Sequence, residues 1–249
     1  MVGPISAKPL LEPPFEDLSM LPRTTLSSMR RAAQDLFRVL ELFARDGGHP
    51  VTDVLAESAG DFTAFRRYPE DGVGGGTDAC AWYYHAHDPA DARSWDENGH
   101  FHCFAFTELL GPDAKPVALP PNPDFERGGL IHLAGLCVGA DGVPGRLFAL
   151  NRWASEEWLY PAGDVVPLIE RFRIVDDTRF SLTSRWLAAM LTLLQPQISW
   201  LLHERDAVLE ARHRIDPIGF SEDPSIEVAS TVVFDLDLHL KALDRAAAG

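Results

Sequence analysis

Cysteine is scarce in this chain of 249 residues, which contains only Cys80, Cys103 and Cys137. An odd number of cysteines without a CxxC pair is not typical of a disulfide framework or of a cysteine-based zinc site. We expect the three thiols to be small buried side chains. A cysteine ligand beside the histidines described below is the alternative.

Basic residues and long apolar runs are also in short supply. Lys and Arg number 22 against 37 Asp and Glu, which gives a formal charge of −15. Such a charge opposes binding to nucleic-acid phosphates and to anionic membranes. No apolar run approaches the roughly 20 residues of a membrane span, and residues 1–14 lack the pattern of a signal peptide. We therefore predict a cytoplasmic protein with no nucleic-acid or membrane partner.

Several common catalytic motifs are missing as well. The sequence has no nucleophile elbow, no dinucleotide-binding fingerprint and no Walker loop. Gly74, Gly75 and Gly76 are consecutive, but no GK[ST] follows them and no helix is predicted there. We interpret the turn-rich segment 68–78 as a flexible connector to the strand that follows.

The chain is predicted to consist of an irregular proline-rich arm, residues 1–22, and a single α+β domain, residues 23–249. An apolar repeat of three and four residues predicts a helix from Arg23 to Gly47, and a shorter helix is predicted over 51–59. Residues 181–213 have helical spacing that Pro196 should divide. Residues 230–248 suggest a strand that runs into a helix near Asp235 or Asp237.

The middle of the chain has the composition of β-strands. Four strands are predicted, over residues 80–87, 100–110, 130–138 and 146–153, and a glycine-rich turn at 139–145 joins the last two. We expect two antiparallel hairpins. The fold class is thus α+β, with a central antiparallel sheet of four or more strands, or alternatively a half-barrel, packed against N-terminal and C-terminal helices.

Two histidine pairs are the most informative feature that is present. His85 and His87 end the first predicted strand, and His100 and His102 begin the second. Side chains at i and i+2 of a strand point to the same face, so each pair can aim two imidazoles at one point. In a hairpin that pairs His85 with His102 and His87 with His100, four imidazoles converge within reach of one cation.

Burial provides the physical reason to expect a metal at these histidines. Four imidazoles on one buried face would each need partners for two ring nitrogens, and burial disfavours their cationic form. A divalent transition metal, Fe, Zn or Cu, would satisfy them. A wet polar sheet face or a hydrogen-bonded network without metal is the alternative. His132, at the start of the next strand, is a further candidate ligand or else a satisfied core residue.

Four other residues complete the candidate site. Glu97 precedes His100 by three residues and could close the coordination shell or act as a general base on metal-bound water. Tyr83 shares a strand face with His85. Asn151 could orient a ligand and Arg152 could receive an acidic substrate, although packing and surface roles are the alternatives for each.

The segments WYYHAH at 82–87, GHFH at 99–102 and LFALNRW at 147–153 resemble those of an uncharacterised bacterial protein family. The resemblance covers about residues 60–160 and implies no activity. The HxH motif is also similar in part to the cupin metal site. The chain departs from the cupin pattern because it has two HxH pairs, because Glu97 precedes the second pair, and because the flanking glycines are absent.

The interpretation favoured by the sequence is a metal-binding protein, and more specifically a metal-dependent enzyme that acts hydrolytically or with oxygen on a small molecule. A non-catalytic module for a small molecule, haem or a metal is a second interpretation. A structural or interaction protein that uses the arm and the C-terminal helices is a third. Homo-oligomers are compatible with each.

Overall fold

The computed structural model describes residues 9, 11–56, 63–75, 78–88, 95, 97–175 and 179–248. Parts of three predictions lie outside these residues: most of the arm before residue 11, the last turn of the second predicted helix, and most of the loop between the two histidine pairs.

The described residues form seven α-helices and six β-strands. The helices are α1 (Arg23–Arg45), α2 (Pro50–Ala56), α3 (Arg152–Ser155), α4 (Ala162–Val165), α5 (Ser181–Leu193), α6 (Gln195–Ile215) and α7 (Leu236–Ala248). The strands are β1 (Tyr68–Gly74), β2 (Cys80–His85), β3 (Gly99–Phe106), β4 (Leu130–Val138), β5 (Pro144–Leu150) and β6 (Val228–Val233). Short 3₁₀ helices cover Thr107–Leu109, Val166–Arg171 and Phe220–Glu222.

The six strands form one open antiparallel sheet in which each strand pairs with its neighbours in chain order. The predicted α+β class, with a central antiparallel sheet and helices at both ends of the chain, is confirmed. The sheet is not closed, and it differs from the double-sheet jelly roll in which cupin sites occur. No described helix combines the length and the apolar character needed to cross a bilayer.

The prediction of a flexible connector over residues 68–78 is wrong for its first half, which is strand β1. The strand pairs only with β2, and its register shifts between Tyr68 and Val73. Pro69 and two glycines hide this strand from a pattern search, because they are depleted in regular strands. They are tolerated here because β1 is an edge strand. One side of β1 has no neighbouring strand, so the missing backbone N–H of proline removes no hydrogen bond on that side.

The fourth predicted strand is three residues too long at its end. Strand β5 stops at Leu150, and Asn151 then caps α3 by accepting a hydrogen bond from the Arg152 backbone nitrogen at 2.8 Å. The first two predicted strands, over 80–87 and 100–110, are also too long, because β2 ends at His85 and β3 at Phe106. The predictions for the C-terminal third agree with the structure: α5 and α6 divide beside Pro196, and β6 leads into α7 at Leu236.

One face of the sheet carries the main hydrophobic core. Trp82, Tyr84, Phe101 and Cys103 point to this face and are fully buried. The Trp82 indole nitrogen donates a hydrogen bond to Ser184 Oγ on α5 at 2.9 Å. Because the helices cover this face, the alternate residues of β2 and β3, which include the histidines, lie on the other face.

The part of the arm next to α1 is also packed against the core. Leu18 is fully buried and Leu21 nearly so, whereas Met20 between them is exposed. The backbone oxygen of Glu16 accepts a hydrogen bond from Arg245 on α7 at 3.1 Å. The described residues before Arg23 contain no helix or strand, as expected for an irregular segment.

Candidate metal centre

The alternation of β2 and β3 places the histidines together. Tyr83 and His85 on β2 share a face with His100 and His102 on β3, while their neighbours face the helices. His87 follows two residues after the end of β2 and stays beside the same face, with its ring centroid 4.8 Å from that of His85.

The predicted strand register is wrong by two residues. His85 lies opposite His100, and Tyr83, not His85, lies opposite His102. A shift of two preserves the side-chain face, whereas a shift of one would have turned the histidines toward the helices. The loop that joins the strands is too long to fix the register by turn geometry. The predicted square of four imidazoles is therefore replaced by a different grouping.

Three histidines converge in the observed register. His85, His87 and His100 each offer a ring nitrogen, and these three atoms all lie within 4.8 Å of one another. His100 is fully buried, while His85 and His87 are half-buried. A tetrahedral metal with bonds of ~2.05 Å would need nitrogens roughly 3.4 Å apart, so modest side-chain movements would complete the site.

The other two predicted ligands form a pair next to this triad. His102 Nδ1 lies 3.1 Å from His132 Nε2, a hydrogen bond in which one nitrogen donates and the other accepts. The His102 ring is 4.7 Å from that of His100. The structure thus brings all five candidate histidines together, as a triad and an adjoining pair. Their assignment as ligands stays a prediction.

A β-bulge explains why His132 is on this face. Cys103 on β3 pairs with Ala134, but the next residue, Phe104, pairs with His132, so Leu133 is passed over. Without this shift His132 would share the face of Ala134 and point toward the helices. The sequence contains no local signal for the bulge.

Glu97 contacts His100 directly. Its Oε1 accepts a hydrogen bond from His100 Nδ1 at 2.9 Å, and its Oε2 accepts one from the Trp95 indole nitrogen at 2.9 Å. Burial alone would raise the pKa of this carboxyl, but the contacts with His100, Cys137 and Trp95 outweigh burial and lower the pKa to about 2. Such contacts suit a carboxylate that orients a histidine, because they fix its tautomer and leave Nε2 to bind a metal. The ligand and general-base roles predicted for Glu97 stay predictions.

The environment of His132 keeps its ring neutral. Burial, together with the positive charge of Arg205 and the influence of His100, lowers the pKa of His132 to about 3. A neutral imidazole can accept one hydrogen bond and donate another. His132 can therefore either accept or donate the hydrogen bond that joins it to His102.

Phe148 on β5 forms an apolar wall of the site. Its ring lies edge-on to His100 at 5.0 Å and to His102 at 5.6 Å. The ring lies directly over Gly135, its cross-strand partner on β4. A Cβ atom at residue 135 would overlap with the ring. Glycine at this position is thus a requirement of the site, and no sequence motif indicates it.

Phe65 stands at the exposed side of the triad. Its ring centroid is 5.0 Å from that of His87 and 6.1 Å from that of His85, and its side chain is exposed. The backbone φ of Phe65 is 64°, a left-handed conformation that is unfavourable for a bulky residue. Its backbone nitrogen donates to Ala86 at 2.8 Å, which holds the ring beside the histidines.

The three predicted ligand-contacting residues occupy different places. Tyr83 packs on His102 at 4.9 Å, and burial raises the pKa of its phenol to about 12. The Asn151 side chain is engaged in capping α3 and donates to the backbone oxygen of Phe220 at 3.1 Å. Arg152 is buried and forms a two-pronged ion pair with Glu222. Their predicted contacts with a ligand stay predictions.

Comparison with protein families places this geometry in a wider group. A model of a domain of unknown function, DUF6969, matches residues 30–234. The chain belongs to the DUF6969 family. The match spans the sheet, the triad and most of the helices, and the resemblance to an uncharacterised family is thereby confirmed. The chain has no match among curated proteins or among solved structures. The description of DUF6969 specifies no activity, so the function has to be argued from the site.

Proposed function

We propose that His85, His87 and His100 bind one divalent transition metal ion and that the protein is a metal-dependent enzyme acting on a small molecule. The observation that carries this proposal is the convergence of three ring nitrogens within 4.8 Å on one face of the sheet. Imidazole nitrogen is a preferred ligand of zinc, copper and iron and a poor one for magnesium and calcium.

The surroundings of the triad support a metal over a simple polar network. Glu97 fixes one ring from behind, and Phe148 and Phe65 pack against the rings from the sides. A carboxylate behind a histidine is the usual second partner of a metal ligand, since it orients the ring and increases its basicity. A network without metal has no need for three nitrogens directed at one point.

Three neutral ligands favour catalysis over simple storage. They leave the ion its full double positive charge, and a three-residue set leaves at least one coordination position open. Such an ion lowers the pKa of bound water and polarises oxygen-containing groups, while iron or copper can also engage dioxygen. Hydrolytic and oxygen-dependent chemistry are both compatible with this ligand set.

The test is elemental analysis of protein purified without an affinity tag, together with titration of the metal-free protein with Zn²⁺ and Fe²⁺. We expect one ion per chain in the wild type. His87→Ala should lower the affinity at least 100-fold, because it removes one of three ligands from a half-buried position outside the strands. His203→Ala is the matched control, since His203 is a half-buried histidine on α6.

Glu97→Gln provides a graded second variant. Loss of an orienting carboxylate typically costs 10-fold to 100-fold in metal affinity, so this variant should lie between the wild type and His87→Ala. Stoichiometric metal in His87→Ala, or equal loss in His203→Ala, would contradict the proposal. Turnover by the loaded wild type, assayed as ester hydrolysis and as oxygen consumption with His87→Ala as the blank, tests the catalytic part.

A further inference from the structure

A small cavity adjoins the histidine pair through His132. Its lining includes His132 from β4, Arg152 and Ser155 from α3, Glu157, and Arg205 from α6. The space not filled by atoms is about 220 Å³, including the part that opens to solvent. This volume is below that of a typical pocket for a drug-sized ligand, so the cavity suits one end of a small molecule.

Two buried side-chain atoms at this cavity lack a hydrogen-bond partner. The first is Nη1 of Arg152, whose side chain is only 3% exposed and whose other nitrogens bind Glu222. The second is Oε2 of Glu157. Leaving such groups unsatisfied in a folded protein is unfavourable. Both atoms belong to residues that line the same small space, so one bound group can satisfy both.

The charges around the cavity favour an anion. Arg152 and Arg205 contribute two guanidinium groups to the lining. Their carboxylate partners, Glu222 and Asp206, are not part of the lining, and Glu222 is half exposed to screening water. Burial raises the pKa of Glu157 well above its usual value, although Arg67 opposes this, which favours the protonated carboxyl as a hydrogen-bond donor.

We infer that this cavity binds one oxygen of a small carboxylate, with Arg152 Nη1 as the principal donor and Glu157 as the second. The cavity takes one oxygen of the ligand, and the rest of the ligand then meets Leu150, Trp158 and Leu159, which complete the lining. The alkyl part of a carboxylate fits these apolar side chains better than the charged oxygens of a phosphate would. The binding of a carboxylate does not depend on the metal. Only the further step, that this group is one end of the substrate processed at the triad, rests on the proposed function.

The test is calorimetric titration of the full-length protein, as purified, with formate, acetate, propionate and butyrate at constant ionic strength. Acetamide serves as the neutral analogue of acetate. We expect acetate to bind and acetamide to bind at least 10-fold more weakly. If propionate and butyrate bind more weakly than acetate, the natural ligand is a free small carboxylate. If they bind as tightly or more tightly, the natural ligand is a larger molecule that ends in a carboxylate. Both patterns support a carboxylate site.

Variants locate the binding. Arg152→Lys should weaken acetate binding at least 10-fold, because lysine cannot present Nη1 while it pairs with Glu222. If this variant does not fold, Ser155→Leu provides the same test, since it fills the cavity from a half-buried position and keeps the ion pair. Arg212→Lys is the control, because Arg212 pairs with Asp223 and is not among the lining residues.

Three results would overturn the inference: no acetate binding by the wild type, equal binding of acetamide, or unchanged binding in both cavity variants. The metal content of each variant is measured in parallel. Acetate binding by a protein that holds no metal would refute the proposed function and leave the carboxylate site intact. Metal binding without acetate binding would refute the carboxylate site and leave the proposed function intact.

Discussion

The pKa values of two carboxyl groups, Glu97 and Glu157, shift in opposite directions because the neighbours of the two groups differ. Glu97 is largely buried but receives hydrogen bonds from His100 and Trp95, so its pKa falls. Glu157 has a buried Oε2 without such a donor, so its pKa rises. The sequence places both residues in acidic, polar surroundings and does not distinguish them. The contrast arises from tertiary contacts. Glu97 was predicted as a site residue because it precedes His100 by three residues, and Glu157 was missed because no such motif adjoins it.

The raised pKa of Glu157 predicts how stability depends on pH. The ordinary pKa of this carboxyl, 4.5, applies to the unfolded chain, and the pKa in the folded protein is higher. The folded state is therefore favoured while both states are protonated, and this contribution to stability is lost as the pH rises above 4.5. In Glu157→Gln the side chain cannot ionise, so this loss of stability with rising pH does not occur. We expect the variant to match the wild type near pH 4 and to exceed its free energy of unfolding at pH 7.5.

Urea unfolding at pH 4, 6 and 7.5 measures this difference. Glu156→Gln is the matched control, because Glu156 is the preceding residue and is exposed. A constant difference between Glu157→Gln and the wild type across the three pH values would show that burial does not hold this carboxyl neutral.

At the level of elements, the apolar periodicity correctly predicted the helices and strands that depend on local sequence pattern. Helix α1, the division of α5 from α6, and strand β4 agree with the apolar spacing. Edge strand β1, the register of β2 on β3, and the bulge in β4 could not be predicted. Each depends on which strand lies alongside and on how side chains fill the space between the layers, and no short window of sequence contains that information.

The close approach of Phe148 to Gly135 makes β4 sensitive to a single methyl group. In Gly135→Ala the new Cβ overlaps with a ring that is fully buried and cannot move freely. Overpacking of this kind costs about 1–3 kcal/mol, and the displaced ring would press on His100 and His102. We expect a lower free energy of unfolding in urea and weaker binding of Zn²⁺.

Gly145→Ala on the neighbouring strand is the control for this substitution. A Cβ at Gly145 meets no atom within 4 Å, and its backbone is not in the left-handed region. The control should retain metal affinity and most of its stability. Equal effects of the two substitutions would mean that Phe148 can relax without disturbing the histidines.

At the level of the whole molecule, the main hydrophobic core and the candidate site lie on opposite faces of one sheet, although Arg152 of α3 and Arg205 of α6 also reach the cavity beside His132. The helical face supplies the bulk of the apolar core, around Trp82, Phe101 and Trp186. The other face carries the triad, the histidine pair and the cavity beside His132. The main core and the candidate site are thus separated in space, and substitutions in the core should alter the free energy of unfolding without altering the candidate metal ligands.

The proline-rich arm provides the sharpest test of this separation. Leu18 lies in the segment before α1 and is fully buried, so Leu18→Ala should lower the free energy of unfolding by about 2–5 kcal/mol through lost burial and a residual cavity. Met20→Ala is the control, because Met20 is 75% exposed and its truncation should cost little. Urea unfolding measures the cost, and Zn²⁺ titration of the folded protein should give the same affinity in both variants. A Leu18→Ala protein as stable as Met20→Ala would show that the arm is not part of the core, and a loss of metal affinity would show that the two faces of the sheet are coupled.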